Sequence, residues 1–104
     1  MTWSILARDE HGHFGVAIAS RFFAVGSLCV HSRRAVGALS TQALMNPLYG
    51  PAGIEAMARG YGAADTLTTL LAADEGRDQR QVHLLPASGP GAAHTGAACV
   101  DWCG

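Results

Sequence analysis

The strongest constraint on this chain is the alternation of bulky and small apolar side chains over residues 13–20. Phe14, Val16 and Ile18 alternate with glycine and alanine. Successive side chains of a strand point to opposite faces, so this pattern predicts a strand with one bulky face and one face that a neighbouring layer can approach closely. Residues 2–8 predict a second strand. The polar stretch 9–12, which ends in glycine, predicts a hairpin turn between the two strands.

Small side chains supply much of the apolar content. Of the 104 residues, 49% are hydrophobic and only 14% are charged, against a typical charged share of about a quarter. There are 19 alanines and 13 glycines. This composition disfavours disorder and predicts a core in which backbones pack closely. The length suits one domain over residues 1–104, or part of a larger one.

Further strands are predicted at residues 35–43, 81–86 and 92–100, the last interrupted at Gly96. Residues 21–34 fit either an irregular loop or a short strand. The chain ends directly after a strand-like segment, and an uncovered sheet edge or face invites association. We therefore expect the chain to be a part of a larger domain and to form a homo-oligomer.

Two amphipathic helices are predicted between the strands at 35–43 and 81–86. The first is expected after Pro51 and the second over residues 63–73. The residues predicted for their apolar faces are Ile54, Met57, Ala58 and Tyr61 in the first helix, and Ala64, Leu67, Leu70 and Leu71 in the second. The resulting order, ββ(β)βααββ, indicates an α+β fold in which the sheet and the helices form two layers.

Charge and apolar content exclude several classes of partner. Lysine is absent and the formal charge is −1, which argues against a nucleic-acid partner. No segment approaches the ~20 apolar residues that cross a bilayer, and no signal-type segment follows Met1, so we expect no membrane partner. Three cysteines leave an odd thiol after any pairing, which favours a reducing, cytoplasmic location.

One Cys/His grouping, formed by His94, Cys99 and Cys103, could be interpreted as a metal site or a structural thiol site. Structural zinc sites use paired ligands around a turn, and here a fourth ligand would have to come from far away in the chain. The glycine-rich stretches lack the strand, loop and helix of a phosphate-binding loop. We therefore expect no metal and no cofactor.

The second residue is the first candidate for catalysis. Removal of Met1 would expose Thr2 with a free α-amine, which can act as a base near neutral pH beside the hydroxyl of the same residue. Residues 40–42 are the second candidate, because the strand turns there toward the first helix and backbone N–H groups can point at a developing oxyanion. Each feature also has a structural interpretation, as an ordinary start or end of a strand.

The sequence resembles the bacterial and archaeal family called domain of unknown function 1028 over essentially its whole length. The matching segments are TWSI at 2–5, GVAIAS at 15–20, AVGS at 24–27, VGA at 36–38, TQA at 41–43, NP at 46–47, YGP at 49–51, LLAAD at 70–74, RQ at 80–81 and HTG at 94–96, followed by Cys99. The resemblance implies an N-terminal-nucleophile hydrolase-like fold. That fold is a four-layer αββα sandwich about twice as long as this chain, which would be its N-terminal half.

The chemistry of the wider fold assigns a role to each candidate residue. Thr2 would be the nucleophile, its α-amine the base, and a backbone N–H near Thr41 or Gln42 the oxyanion donor. Arg21, or alternatively Arg33 or Arg34, would supply positive potential but no proton relay, since arginine does not act as a proton acceptor. The residues assigned to substrate binding from the matching segments are Ser20, Ser27 and Asn46.

The expected function is therefore hydrolysis of an amide bond in a small amide or peptide. The main alternative is a non-catalytic member of the same fold that binds a ligand or assembles as an oligomer, in which Thr2 only begins a strand. Fold alone does not decide between them.

Overall fold

The computed structural model describes residues 1–101, in which a hairpin, a four-stranded sheet and a pair of helices lie on one another in three layers. The elements in chain order are β1 (Thr2–Arg8), β2 (Phe14–Ser20), α1 (Gly26–Cys29), β3 (Val30–Arg33), β4 (Gly37–Ala43), α2 (Tyr49–Ala58), α3 (Ala63–Ala72), a 3-10 helix (Arg77–Gln79), β5 (Arg80–Pro86) and β6 (Ala92–Thr95). The fold is α+β. The expectation of two layers is wrong, because the strands divide into two separate sheets.

The first layer is the predicted hairpin. β1 and β2 pair antiparallel, with Thr2 opposite Ser20. In the turn, the Asp9 carboxylate accepts the backbone N–H groups of His11 at 2.9 Å and His13 at 2.8 Å. Gly12 adopts a φ of +78°, a conformation that costs glycine little and explains why the turn ends in this residue.

The second layer is the antiparallel sheet, in the order β3-β4-β5-β6. Leu39, on central β4, belongs to the core under the helices, whereas the side chain of Gln42 contacts the hairpin. Because side chains alternate along a strand, even-numbered residues of β4 face the hairpin and odd-numbered residues face the helices. The register places His83 of β5 opposite Ser40 and Gln81 opposite Gln42.

The third layer is formed by α2 and α3. α2 begins at Tyr49, so the prediction that it starts after Pro51 is wrong. Pro51 lies in the first turn of α2. The N–H groups of a first turn have no partners within the helix, so proline is tolerated there. The predicted apolar face of this helix also differs from the buried one, because Tyr61 lies beyond the end of α2 and is 57% exposed. The residues of α2 that are buried are Tyr49, Gly50, Gly53 and Met57.

The structure also decides the conformation of residues 21–34 and the end of the last strand. Residues 21–34 contain the short α1 and β3. The last strand ends at Thr95, because Gly96 is buried against the 3-10 helix and its N–H donates to the Arg80 carbonyl at 2.9 Å. The segment after Gly96 therefore folds back over the start of β5.

Candidate active site

A cleft of about 940 Å³ opens between the start of β1, the segment that leads into α1, and the ends of β4, β5 and β6. Most of its lining is apolar. Its lining includes the polar residues Thr2, Ser4, Gln42, Gln81 and His83 and the apolar residues Phe22, Phe23, Val25, Leu28, Leu44 and Met45. An apolar cleft with a few convergent polar groups is typical of a small-molecule site.

Thr2 lies half-buried at this cleft. Its Oγ1 donates a hydrogen bond to the Ser20 Oγ at 3.1 Å, and its main-chain carbonyl accepts one from the Gln42 Nε2 at 3.1 Å. The Ser20 hydroxyl also accepts the N–H of Phe22 at 3.3 Å. Thr2 is therefore anchored by its side chain to β2 and by its backbone to β4.

A polar network continues from Gln42 across the two sheets. The Ser4 Oγ lies 2.7 Å from the Gln42 Oε1 and 2.7 Å from the His83 Nε2. The second Gln42 amide hydrogen points to the Gln81 Oε1 at 2.6 Å, and the Gln81 Nε2 donates to the Thr95 Oγ1 at 3.1 Å. Side chains from β1, β4, β5 and β6 thus meet in one chain of hydrogen bonds next to Thr2.

Burial shifts the pKa of two titratable groups of the cleft in the direction that favours their uncharged forms. Burial lowers the pKa of His83, because the imidazolium loses hydration. Burial raises the pKa of the Cys29 thiol, because the charged thiolate would also lose hydration. A thiol is a much weaker nucleophile than a thiolate, so Cys29 is a poor candidate for the reacting group.

Two alanines on the wall of the cleft have left-handed backbones. Ala24 has a φ of +53° and Ala43 a φ of +66°, and both residues line the cleft. For a residue with a Cβ this conformation costs about 1–2 kcal/mol. Such strain concentrates at functional sites, and an alanine gives no sign of it in the sequence.

The structure separates the other predicted residues. Ser27 lines the cleft, and its Oγ donates to the Ala24 carbonyl at 2.8 Å. Thr41 is fully buried on the face of β4 that packs against the helices. The side chain of Gln42 lines the cleft, whereas Thr41 is not among the described lining residues. The pairing of β3 with β4 ends at Ser40. Arg21 is exposed and lies outside the described lining.

Asn46 belongs to a different polar cluster, centred on Asp74. Its Nδ2 donates to the Asp74 Oδ2 at 3.1 Å, and its Oδ1 accepts the N–H of Leu48 at 3.0 Å. The same carboxylate accepts hydrogen bonds from the Tyr49 hydroxyl at 2.7 Å and the Arg80 Nε at 2.9 Å. The Asn46 amide therefore joins α2 to the loop after α3 and lies outside the described lining of the cleft.

The Cys/His grouping is only partly described. The His94 Nε2 lies 3.0 Å from the Arg77 carbonyl, and the Cys99 Sγ donates to the Arg80 carbonyl at 3.4 Å. Cys103 lies outside the described residues. Within residues 1–101, no three His, Cys, Asp or Glu side chains are grouped as metal ligands. The helices of this part of the chain are all too short or too polar to span a membrane.

Sequence reasoning missed Ser4, Gln81 and His83. Ser4 shares a strand face with Thr2, and this alternation was a usable signal. For the other two residues the signal was weaker, because their position depends on the β4–β5 register and on the placement of the hairpin over that sheet. Neither relation can be derived from spacing along the chain.

Comparisons with known proteins give a family and a structural relative. No curated protein matches the chain. A crystal structure of a protein from Silicibacter pomeroyi, assigned to the DUF1028 family, superimposes with a TM-score of 0.91 at 29% sequence identity. The match covers 97% of this chain and 48% of the relative, so the chain spans about half the length of that protein. The model of the Family of unknown function (DUF1028) matches residues 2–104, and the chain therefore belongs to this family.

Proposed function

We propose that the chain contributes the catalytic threonine of an amide-bond hydrolase of the N-terminal-nucleophile type. The observation that carries the proposal is the Thr2 hydroxyl, which lies at the cleft with Ser20 as its hydrogen-bond partner. The proposal includes the αββα sandwich, of which residues 1–101 would supply one helical layer and both sheet layers.

The proposed reaction starts with hydrolytic removal of Met1, which frees the Thr2 α-amine. This amine takes the proton of the Thr2 hydroxyl while Oγ1 attacks the carbonyl carbon of the substrate amide. The C–N bond then breaks, the proton passes to the leaving amine, and an ester remains on Oγ1. Water hydrolyses this ester, which releases the acid and restores the hydroxyl.

The oxyanion formed during the attack needs N–H donors. Both amide hydrogens of the Gln42 side chain have partners, the Thr2 carbonyl and the Gln81 Oε1. The proposed donor is therefore a main-chain N–H of Thr41 or Gln42, beyond the point where β3 pairing ends. Arg21, directly after Ser20, is proposed to add positive potential. Asn46 is not part of the proposed site, because its amide is held by Asp74 and Leu48.

The cleft lining suggests a class of test substrate. Its described part contains neither arginine nor lysine and is mostly apolar, which favours a neutral, apolar acyl group over a charged one. Hexanoyl p-nitroanilide is a suitable probe. A succinyl p-nitroanilide of similar size is the charged control.

The test combines intact mass with turnover of this probe. We expect active material to lack Met1, and Thr2→Ala to abolish p-nitroaniline release. Thr68→Ala is a matched control, because Thr68 lies exposed on α3. Active protein that retains Met1, or a Thr2→Ala variant with undiminished turnover, would refute the proposal.

Ligand binding without turnover is the second candidate. It is favoured by the apolar lining of the cleft. This alternative predicts that the hexanoyl probe binds equally well to the wild-type chain and to Thr2→Ala, with no release of p-nitroaniline from either.

A further inference from the structure

Ser4 and His83 have the separation of a catalytic nucleophile–base pair, with 2.7 Å between the Ser4 Oγ and the His83 Nε2. In such a pair the hydroxyl donates its proton to the imidazole. Whether this happens here depends on where the single hydroxyl hydrogen of Ser4 points. The neighbouring Gln42 decides that question.

The orientation of the Gln42 amide is fixed by the Thr2 carbonyl. A carbonyl oxygen can only accept, so the atom 3.1 Å from it must be the Gln42 Nε2. The Oε1 of the same amide then faces Ser4 at 2.7 Å. Two oxygens at this distance need a hydrogen between them, and Ser4 is the one that can supply it. The hydroxyl hydrogen of Ser4 therefore points to Gln42.

The direction of the Ser4–His83 contact follows. With its hydrogen used toward Gln42, the Ser4 Oγ can only accept from the imidazole. His83 must therefore carry a hydrogen on Nε2. We infer that Ser4 and His83 are not a nucleophile–base pair but part of a chain of hydrogen bonds that positions Thr2. In this donor relay His83 donates to Ser4, Ser4 donates to Gln42, and Gln42 donates to the Thr2 carbonyl.

The neighbouring buried hydroxyl of Ser40 makes no hydrogen bond to the imidazole. Ser40 lies directly opposite His83 in the β4–β5 register, on the same sheet face. The Ser40 hydroxyl is buried and has no hydrogen-bond partner among residues 1–101. The tautomer therefore rests on the contacts of Ser4 with Gln42 and His83, and it leaves the Nδ1 of His83 unprotonated. The lowered pKa of His83 is consistent with this neutral form.

The role of the relay rests on the proposed function, but the tautomer can be measured without it. The protein is labelled at its histidines with the NMR-active nitrogen isotope. Long-range proton–nitrogen correlation NMR spectra at about pH 7.5 then distinguish the two neutral tautomers of each imidazole. We expect His83, assigned by loss of its signals in His83→Gln, to carry hydrogen on Nε2. A His83 signal with hydrogen on Nδ1 alone would overturn the inference, whatever the activity of the chain.

Turnover of hexanoyl p-nitroanilide tests the positioning role. Loss of one neutral hydrogen bond predicts that Ser4→Ala lowers the rate by about tenfold at most. His83→Gln keeps an N–H donor and should retain at least about a third of the rate, whereas His83→Leu should fall by about tenfold. His13→Gln is the control, because His13 is exposed in the hairpin turn, where its Nδ1 contacts Asp9.

The outcomes separate this inference from the proposed function. Turnover abolished by both Ser4→Ala and His83→Gln, but kept by Thr2→Ala, would identify Ser4 as the nucleophile and refute both. Full activity of His83→Leu with loss in Thr2→Ala would refute only the positioning role. A wild-type chain without turnover would count against the proposed function, while the histidine spectra would still decide the relay.

Discussion

Within residues 1–101, the Thr2 hydroxyl has one side-chain partner, the Ser20 Oγ on the neighbouring strand. This arrangement fixes the rotamer of Thr2 while leaving the residue at the cleft. A nucleophile needs such restraint, because small displacements of a reacting atom cost large factors in rate.

At this scale we predict that Thr2→Ser retains turnover and that Thr2→Val loses it by about 10³-fold or more. Valine keeps the shape of threonine but lacks the hydroxyl, so the comparison separates chemistry from packing. The measurement is p-nitroaniline release, with circular dichroism to confirm that the valine variant is folded. Equal rates for Thr2→Val and the wild-type chain would remove Thr2 from the mechanism.

The candidate residues illustrate what sequence could predict. Thr2 and Gln42, which both line the cleft, were singled out because one follows Met1 and the other lies at the end of an obvious strand. Thr41 was assigned together with Gln42, yet its side chain points to the opposite face of β4. Strand alternation separates the two side chains, but sequence alone did not show which face meets the cleft.

Asn46 shows a different limit. A polar residue in a turn before a helix has the same sequence appearance whether it binds a ligand or stabilises the fold. Here the contact with Asp74, 28 residues away, decides its role. Contacts of this kind depend on how α2 and the loop after α3 pack, which residue types do not specify.

Among the elements, α2 shows most directly how the small residues of this chain are used. A Cβ added at Gly53 would lie 2.5 Å from the Leu39 Cδ1 on β4. The helix therefore lies closer to the sheet than an alanine would permit. The composition predicted close backbone packing, and this contact confirms it.

We predict that Gly53→Ala destabilises the chain by about 1–3 kcal/mol, despite the better helix propensity of alanine. Gly15→Ala is the control, since its added Cβ meets no atom within 4 Å, and it should change stability by less than about 0.5 kcal/mol. Urea unfolding of both variants measures the difference. A Gly53→Ala variant as stable as the wild-type chain would contradict the close packing of α2 on β4.

The element boundaries were predictable where the signals are local. Alternation and a glycine-terminated turn identified β1 and β2, which interact with each other along their whole length. The start of α2 was misplaced because Pro51 was interpreted as a boundary, although it occupies the first turn. The end of β6 depends on a contact between Gly96 and the 3-10 helix, which only the folded chain provides.

At the scale of the whole molecule, Asp74 connects three parts of the fold. Its carboxylate binds Asn46, Tyr49 and Arg80, and the Asp74 and Arg80 side chains are only 10% and 17% exposed. The Arg80 guanidinium holds the pKa of the Asp74 carboxyl well below its usual range. Burial and the contact with this carboxylate raise the pKa of Tyr49 to about 12.

The sign of the acid dependence follows from the lowered pKa. The unfolded chain binds a proton at Asp74 near pH 4 and the folded chain only at lower pH, so this group stabilises the fold above about pH 4 and loses its contribution as the pH falls further. We predict that Asp74→Asn costs about 3 kcal/mol near pH 7, and that its difference from the wild-type chain narrows toward about pH 2.

Urea unfolding at a series of pH values provides the measurement. The exposed neighbour Glu75 gives the matched control, because Glu75→Gln removes a carboxylate without disturbing this cluster. A stability difference between Asp74→Asn and the wild-type chain that stays constant from neutral to acid pH would contradict the assignment.

The layered arrangement also leaves apolar surface on the hairpin. Trp3 and Ile5 are each 68% exposed on its outer face. In the proposed αββα sandwich the second helical layer would pack on that face, so we propose that residues 1–104 on their own associate through it, since exposed apolar patches favour association. Sedimentation should show a concentration-dependent oligomer that Ile5→Lys weakens and Thr68→Lys does not. A wild-type chain that stays monomeric over the whole concentration range would contradict this.

Sequence patterns could not predict that the strands divide into two sheets. The polar contacts of Ser4 with Gln42 and His83 lie between those sheets, so the candidate site exists only because the hairpin packs across β4 and β5. Contacts between sheets join residues as distant in sequence as Ser4 and His83, and they depend on how the two sheets pack on each other.

Trapping the acyl intermediate tests the central proposal most directly. Chain incubated with p-nitrophenyl hexanoate and quenched in acid should gain one hexanoyl group, and peptide mass spectrometry should locate it on Thr2 of molecules that lack Met1. The same treatment of Thr2→Ala should give no adduct. An adduct on Ser4 or Cys29, or none on Thr2 in protein that hydrolyses the amide probe, would contradict the proposed role of Thr2.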